Sequence, residues 1–190
     1  MTGSTPARVL VVCTANVCRS PMGEALLRQQ IAQRGGSAVV ASAGTRVVDL
    51  PVYGHSVEAL ADRGVDISSH QPRQLTRELI RAEGADLVIA MTRSHLREVV
   101  TRDRSAFTRT FTLRELGRRI ATADRDLPSD LAGWTTALSY GRRATDLMGD
   151  DADDDLADPY GMGLAEVRRS ADEIERIVRL IAAGAPWPST

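Results

Sequence analysis

The sequence contains no lysine, only two cysteines, three histidines, and aromatic residues at 4%. Its 24 basic residues are all arginine, and against 25 acidic residues they leave a net charge of −1. That balance offers no basic stripe for nucleic acid and no polybasic anchor for an anionic membrane. The missing lysine reads as a GC-rich coding bias rather than as a function. No stretch reaches the ~18 consecutive apolar residues of a membrane span, and the opening MTGSTPARVLVV has no basic segment ahead of a long apolar core. The expectation is a cytoplasmic protein, in which the two cysteines stay reduced and invite a catalytic or redox reading over a structural bridge. Three dispersed histidines and a single cysteine pair give no metal-ligand spacing, so neither metal nor cofactor is expected. The 190 residues suit one domain, 1–190, large enough to bury a core without staples.

What the chain does have is alternation. RVLVVC (8–13), AVVASAG (38–44), ADLVIAM (85–91) and the weaker FTRTF (107–111) read as strands. Helical patterns fall at 20–34, where Ser20 serves as N-cap and Pro21 as the first helical residue, at 55–64, closed by Gly64, at 94–100, and at 164–184. Strands written as continuous apolar runs, each followed by a helix, predict a small doubly wound, Rossmann-like α/β fold: a four-stranded parallel sheet with helices on both faces. In such sheets ligands bind beyond the carboxyl ends of the strands, and Cys13 falls there on the first. Residues 124–157 break the rhythm, with a helix expected near 130–147 and an acidic cluster at 150–155. The cluster lacks the glycine and terminal glutamate of a calcium loop and reads as solvated.

The chemistry is concentrated in CTANVCRS, residues 13–20, where five residues separate Cys13 from Arg19. A tight turn from a strand into a helix N-terminus points backbone N–H groups at its own centre, forming an anion nest reinforced by the helix dipole. The same field favours a thiolate at Cys13. Arg19 can fork two N–H bonds onto phosphoryl oxygens, and Asn16 tolerates the left-handed backbone a nest requires. Thiol and guanidinium so placed suit attack on phosphorus through a cysteinyl-phosphate, with backbone amides of Thr14, Ala15, Asn16, Val17 and Cys18 holding oxygens.

In this motif the sequence resembles the low-molecular-weight protein-tyrosine phosphatases. SAGT (42–45), SHQPRQL (69–75), ADLVIAM and DPYG (158–161) occur in that family's order and rough spacing; the 124–157 segment is longer than the family's usual connection. The resemblance implies Cys13 as nucleophile, Arg19 as phosphate clamp, and Asp158 as general acid and then base, a role the chemistry also demands because a tyrosyl oxygen leaves poorly as an anion. It implies that Ser20 supports the thiolate and that Ser42 and His70 hold Asn16. It further implies that Cys18 forms a protective disulfide with Cys13, its alternative being an inert core residue. Tyr160 would stack on an aromatic substrate or simply pack the loop.

His55 and His95, on helices, read as surface residues. Arg114, Arg118 and Arg119 face either a partner or water. The substrate implied is a phosphotyrosine protein or aryl phosphate, although Val47, Val48, Asp49 and Leu50 stand where eukaryotic relatives carry an aromatic. That difference leans the resemblance toward bacterial members. Some relatives hydrolyse phosphoarginine and carry Thr where Val17 stands. Others reduce arsenate; the thioredoxin-coupled kind needs cysteines this chain lacks, which leaves the glutathione-coupled kind as the arsenate alternative. A non-catalytic phosphate-binding or redox-sensing module is the remaining alternative, against which Asp158 argues.

Overall fold

The computed structural model describes residues 5–81, 84–123 and 126–189. Strand β1 (Ala7–Cys13) lies at the centre of the sheet, between β2 (Ala38–Gly44) and β3 (Leu87–Ala90), with β4 (Thr110–Thr112) beyond β3. All pairings are parallel; Val11 sits beside Ser42 on one side and Ile89 on the other. Having neighbours on both edges and helices on both faces, β1 carries apolar residues at every position from Val9 to Val12. Their side chains alternate between two cores. Val9 and Val11 face the layer of α1 (Arg19–Ala32) and α7 (Leu164–Gly184) with Leu26, Ile174 and Ile177. Leu10 and Val12 meet Leu75, Ile80, Val88 and Val99 on the opposite face.

The order β2-β1-β3-β4 reverses direction at β1: the chain steps to β2 on one side, then crosses to β3 on the other. The carboxyl ends of β1 and β3 therefore frame a crevice where the sheet itself supplies no crossing backbone. On the way the chain forms α2 (Gly54–Ala61) and the short α3 (Arg77–Ile80); after β3 comes α4 (Arg93–Arg102). Gly64, at φ 69°, closes the turn after α2. Among the described residues no helix is long and apolar enough to cross a membrane.

Several expectations are corrected. Helix α1 begins at Arg19 with Cys18 in the capping position, so Ser20 lies inside the first turn and its hydroxyl is free for other work. FTRTF is mostly a 3-10 turn (Arg104–Arg109), and only its last two residues enter β4. A whole helix went unread, α5 (Leu113–Thr122), although Thr112 and Glu115 carry the T-x-x-E spacing of a helix start and the Thr112 hydroxyl does accept from Glu115 N, 3.1 Å.

In the 124–157 segment, whose first two residues lie outside the described ones, the single expected helix is broken. Helix α6 (Leu131–Ser139) ends before Gly141, whose φ of 78° suits no L side chain, and a 3-10 turn follows (Ala144–Leu147). The acidic cluster is not a freely solvated loop. Asp154 is buried, pairs with Arg93 Nε at 2.7 Å and also with Arg118, while Asp155 accepts from Arg93 N at 2.6 Å. Burial would raise the Asp154 pKa, but hydrogen bonds from Arg118 and Arg93 outweigh it and hold the carboxyl below its ordinary range. Arg114 binds Glu173 and Arg119 binds Glu115, so these arginines serve the fold's own acids.

Candidate active site

Between β1 and α1 the chain turns over residues 13–20 around a narrow centre. Asn16 adopts φ 60°, the only described non-glycine residue in the left-handed region. The turn is held from outside through that residue. Its Nδ2 donates to Ser20 Oγ (2.9 Å) and to Ser42 Oγ (2.8 Å), its Oδ1 accepts from Arg73 N (2.9 Å), and its carbonyl accepts from His70 Nε2 (3.0 Å). Because a carbonyl only accepts, that contact places a proton on His70 Nε2. Ser42 Oγ in turn donates to Glu24 Oε2 at 2.6 Å, which adds Glu24 to the network. Gly44, paired with Cys13 across the sheet, lies directly beneath the loop: a Cβ there would stand 2.6 Å from Thr14 O. The glycine of SAGT is thus set by close approach of backbone to backbone.

Within the turn, Cys13 Sγ lies 2.9 Å from Ser20 Oγ and accepts from Asn16 N at 3.3 Å. The N–H groups of Thr14, Ala15, Val17 and Cys18 find no acceptor among the described residues. A sulfur surrounded by donors, above the start of a helix with unpaired amides, is a place for negative charge. Cys18 has the opposite setting. Burial pushes its thiol up to about 12, even though Ser56 Oγ donates to it at 3.1 Å, so it stays protonated and weakly nucleophilic.

Arg19 is buried and anchored by neighbours: Nη1 donates to Leu156 O (3.0 Å), and Nη2 to Asp158 Oδ2 (2.5 Å), with Thr14 Oγ1 at 3.4 Å. Its Nε is buried without a partner, so the guanidinium keeps a donor in reserve. Asp158 has a half-exposed side chain and comes from the loop before α7. That loop is tied to the turn by Tyr53, which sequence reading passed over. Tyr53 N donates to Val17 O (2.8 Å), its hydroxyl donates to Met162 O (2.8 Å), and its ring packs on Tyr160 with centroids 5.0 Å apart. Cys13, Ala15, Val17, Arg19 and Asp158 all line one cavity of about 130 Å³, rimmed by Val48, Leu50 and Tyr160. Half-exposed Val48 and Leu50 occupy the wall where an aromatic was missed. A larger groove of about 470 Å³, lined by Arg114, Arg118 and Glu173, carries no nucleophile.

His95 overturns its reading as a surface residue. It is 5% exposed, with Nε2 at 2.9 Å from Thr14 Oγ1 and Nδ1 at 2.9 Å from Thr92 Oγ1. Burial, with the charge of Arg19, pushes this imidazole down to about 3 and keeps it neutral. No sequence signal separated it from the other helical histidines, because its neighbours come from the far end of β1. His55 is half-exposed beside Glu58 and takes no part.

The arrangement joins a thiol in a ring of donors, a buried guanidinium with one free donor, and a carboxylate that can approach from outside. It can bind a tetrahedral oxyanion, attack its centre and exchange a proton with a departing group. Over residues 8–136 the chain matches the family described as low molecular weight phosphotyrosine protein phosphatase. It is 38% identical over 108 residues to the probable low molecular weight protein-tyrosine-phosphatase EpsP of Ralstonia solanacearum, covering 57% of this chain and 71% of that one. It is 30% identical over 177 residues to the protein-arginine-phosphatase of Bacillus subtilis strain 168, covering 92% and 93%. Among solved structures, a low molecular weight protein tyrosine phosphatase from T. tengcongensis superposes with a TM-score of 0.69 at 29% identity, covering 93% of this chain and 98% of that one.

Proposed function

Since the chain belongs to the low molecular weight phosphotyrosine protein phosphatase family, and is thus a phosphoric monoester hydrolase, we propose that it hydrolyses phosphotyrosine in proteins through a cysteinyl-phosphate. The observation that carries this reading is the meeting of Cys13, Arg19 and Asp158 at one 130 Å³ cavity. Phosphate would settle among the free amides of Thr14, Ala15, Val17 and Cys18, and the unpartnered Nε with Nη2 of Arg19 would fork onto its oxygens. To do so Nη2 must leave Asp158, which frees the carboxyl to take a proton to the substrate's bridging oxygen. Cys13 Sγ then bonds to phosphorus as the tyrosyl oxygen departs with that proton. Asp158, now ionised, takes a proton from water, whose oxygen attacks phosphorus and releases Cys13 and phosphate. Ser20 donates to the sulfur whenever it is anionic. Asn16, with Ser42 and His70 behind it, keeps the nest in shape. Such a thiol chemistry suits the reducing cytoplasm.

Hydrolysis of p-nitrophenyl phosphate and of phosphotyrosine peptides, without added metal, tests this reading. Freshly reduced wild type should turn over at mildly acidic pH and Cys13→Ser should be inactive. Asp158→Asn should be slower by roughly 10²-fold or more on the peptide, whose leaving group needs the proton most. A reduced wild type without activity would refute the reading. A second substrate deserves the same assay, because a relative matched along nearly its whole length is an arginine phosphatase. Val17 and the apolar rim of Val48 and Leu50 favour an aryl group over a guanidinium, which would find Asp158 as the one carboxylate among the described lining residues. Phosphotyrosine peptides should therefore be preferred over phosphoarginine peptides, and Val17→Thr should narrow that preference.

A further inference from the structure

One partly buried hydrogen-bonded chain reaches the guanidinium from behind the cavity and meets its lining only at Thr14. Thr92 caps α4, its hydroxyl accepting from His95 N at 3.3 Å, and sits 2.9 Å from His95 Nδ1. His95 Nε2 is 2.9 Å from Thr14 Oγ1, and Thr14 Oγ1 accepts from Arg19 Nη2 at 3.4 Å. Arginine has donors only, so the threonine oxygen must present a lone pair to it. A threonine hydroxyl free to rotate would do so part of the time; one held by a buried ring does so always. Leu156 O fixes the other end of the guanidinium through Nη1.

We infer that His95 is a positioning residue, which acts through Thr14 to hold the Arg19 guanidinium in the orientation that receives the phosphoryl oxygens. The inference rests on the phosphatase reading and adds to it a residue on α4. His95 does not line the cavity, so it neither touches substrate nor carries a proton of the reaction. A ring with a nitrogen at each end suits the task, because one nitrogen can donate while the other accepts and both threonines stay engaged. Its neutrality also matters, since an imidazolium would repel the Arg19 charge it has to place. The charge facing it is that of Arg19, with Asp158 paired to the far side of the same guanidinium.

The test compares wild type, His95→Leu, His95→Gln, Thr14→Val and the double variant His95→Leu/Thr14→Val, by kcat and KM on p-nitrophenyl phosphate and by inhibition with vanadate, which takes the shape of the transferring phosphoryl group. His95→Leu should lower kcat and vanadate affinity by about tenfold, the weight of one hydrogen bond to a charged chain, with a smaller change in KM. His95→Gln, which still reaches Thr14 with an amide, should recover most of the loss. Thr14→Val should match His95→Leu, and the double variant should be no worse than either single one. The kcat–pH profile should keep its limbs in every variant. Wild-type kcat in His95→Leu, losses that multiply in the double variant, or a displaced pH limb would each overturn the inference. Should His95→Leu fail to fold, Thr14→Val decides, because full activity there removes the link. An inactive wild type would overturn the phosphatase reading, which is a different result from an active wild type indifferent to His95.

Discussion

At the scale of single residues, the site depends on atoms that have little room to move. Gly44 shows this most directly: β2 hydrogen-bonds beside β1, so the turn that leaves β1 must pass over it, and any Cβ meets Thr14 O at 2.6 Å. Gly44→Ala should destabilise the fold by about 1–3 kcal/mol, as overpacking does. It should lower kcat further than that cost explains, because the strain falls on the turn that carries Cys13. Thermal unfolding and kcat on p-nitrophenyl phosphate separate the two effects. Much at this scale was legible in the sequence. Cys13, Arg19 and Asn16 carry their chemistry in their types and spacing, since a short turn leaves few geometries. His95 and Tyr53 were not legible: each acts through a contact with the distant turn, and nothing local distinguishes them from ordinary helix and loop residues.

At the scale of elements, charge pairing decides how the loop before α7 is held. Asp154 and Asp155 grip Arg93 at the start of α4, and Leu156, next along the chain, donates to Met91 O and accepts from Arg19. The acidic cluster is therefore a clasp, whose end holds the catalytic guanidinium proposed above. Since the folded carboxyl of Asp154 lies below the ordinary 3.8, its contribution is complete above that value and disappears as pH falls through the lower folded one. Asp154→Asn should cost roughly 1–3 kcal/mol near neutral pH, and its deficit relative to wild type should shrink below pH ~4. Thermal melts of both proteins across pH 3–7 would show it; a deficit that stays constant into acid would assign the cost to packing instead. A cluster of like charges reads as solvated only because its sequence does not show the arginines of α4 and α5 that fold onto it. Helix α5 was missed for another reason: its capping residues were present, but a weak strand pattern just before it absorbed the reading.

At the scale of the whole molecule, the long 124–157 segment closes the open side of the sheet. Strand β4 is an edge, and an edge presents unpaired backbone groups. Arg142 covers it, its guanidinium 4.8 Å from the Phe107 ring centroid and 4.5 Å from that of Phe111, with Nη groups donating to Phe107 O and Thr110 O at 2.9 Å. Glu115, buried at the start of α5, pairs with it at 2.7 Å, and Trp134 and Leu138 of α6 are buried in the same apolar cluster as Phe111. Arg142→Ala should cost about 3–5 kcal/mol, because it leaves Glu115 partly unpaired and the edge carbonyls without donors. A melting temperature within a degree of wild type would show that the segment is dispensable to the fold. The sequence by itself determined the parallel α/β sheet, the turn after β1 and the Cys13–Arg19 pair at its two ends, because buried strands, tight turns and spacing over a few residues are local physics. Tertiary structure alone decided that His95 is buried against Thr14, that the acidic cluster is a clasp and that Arg142 closes an edge, because burial and pairing belong to segments that only the fold brings together.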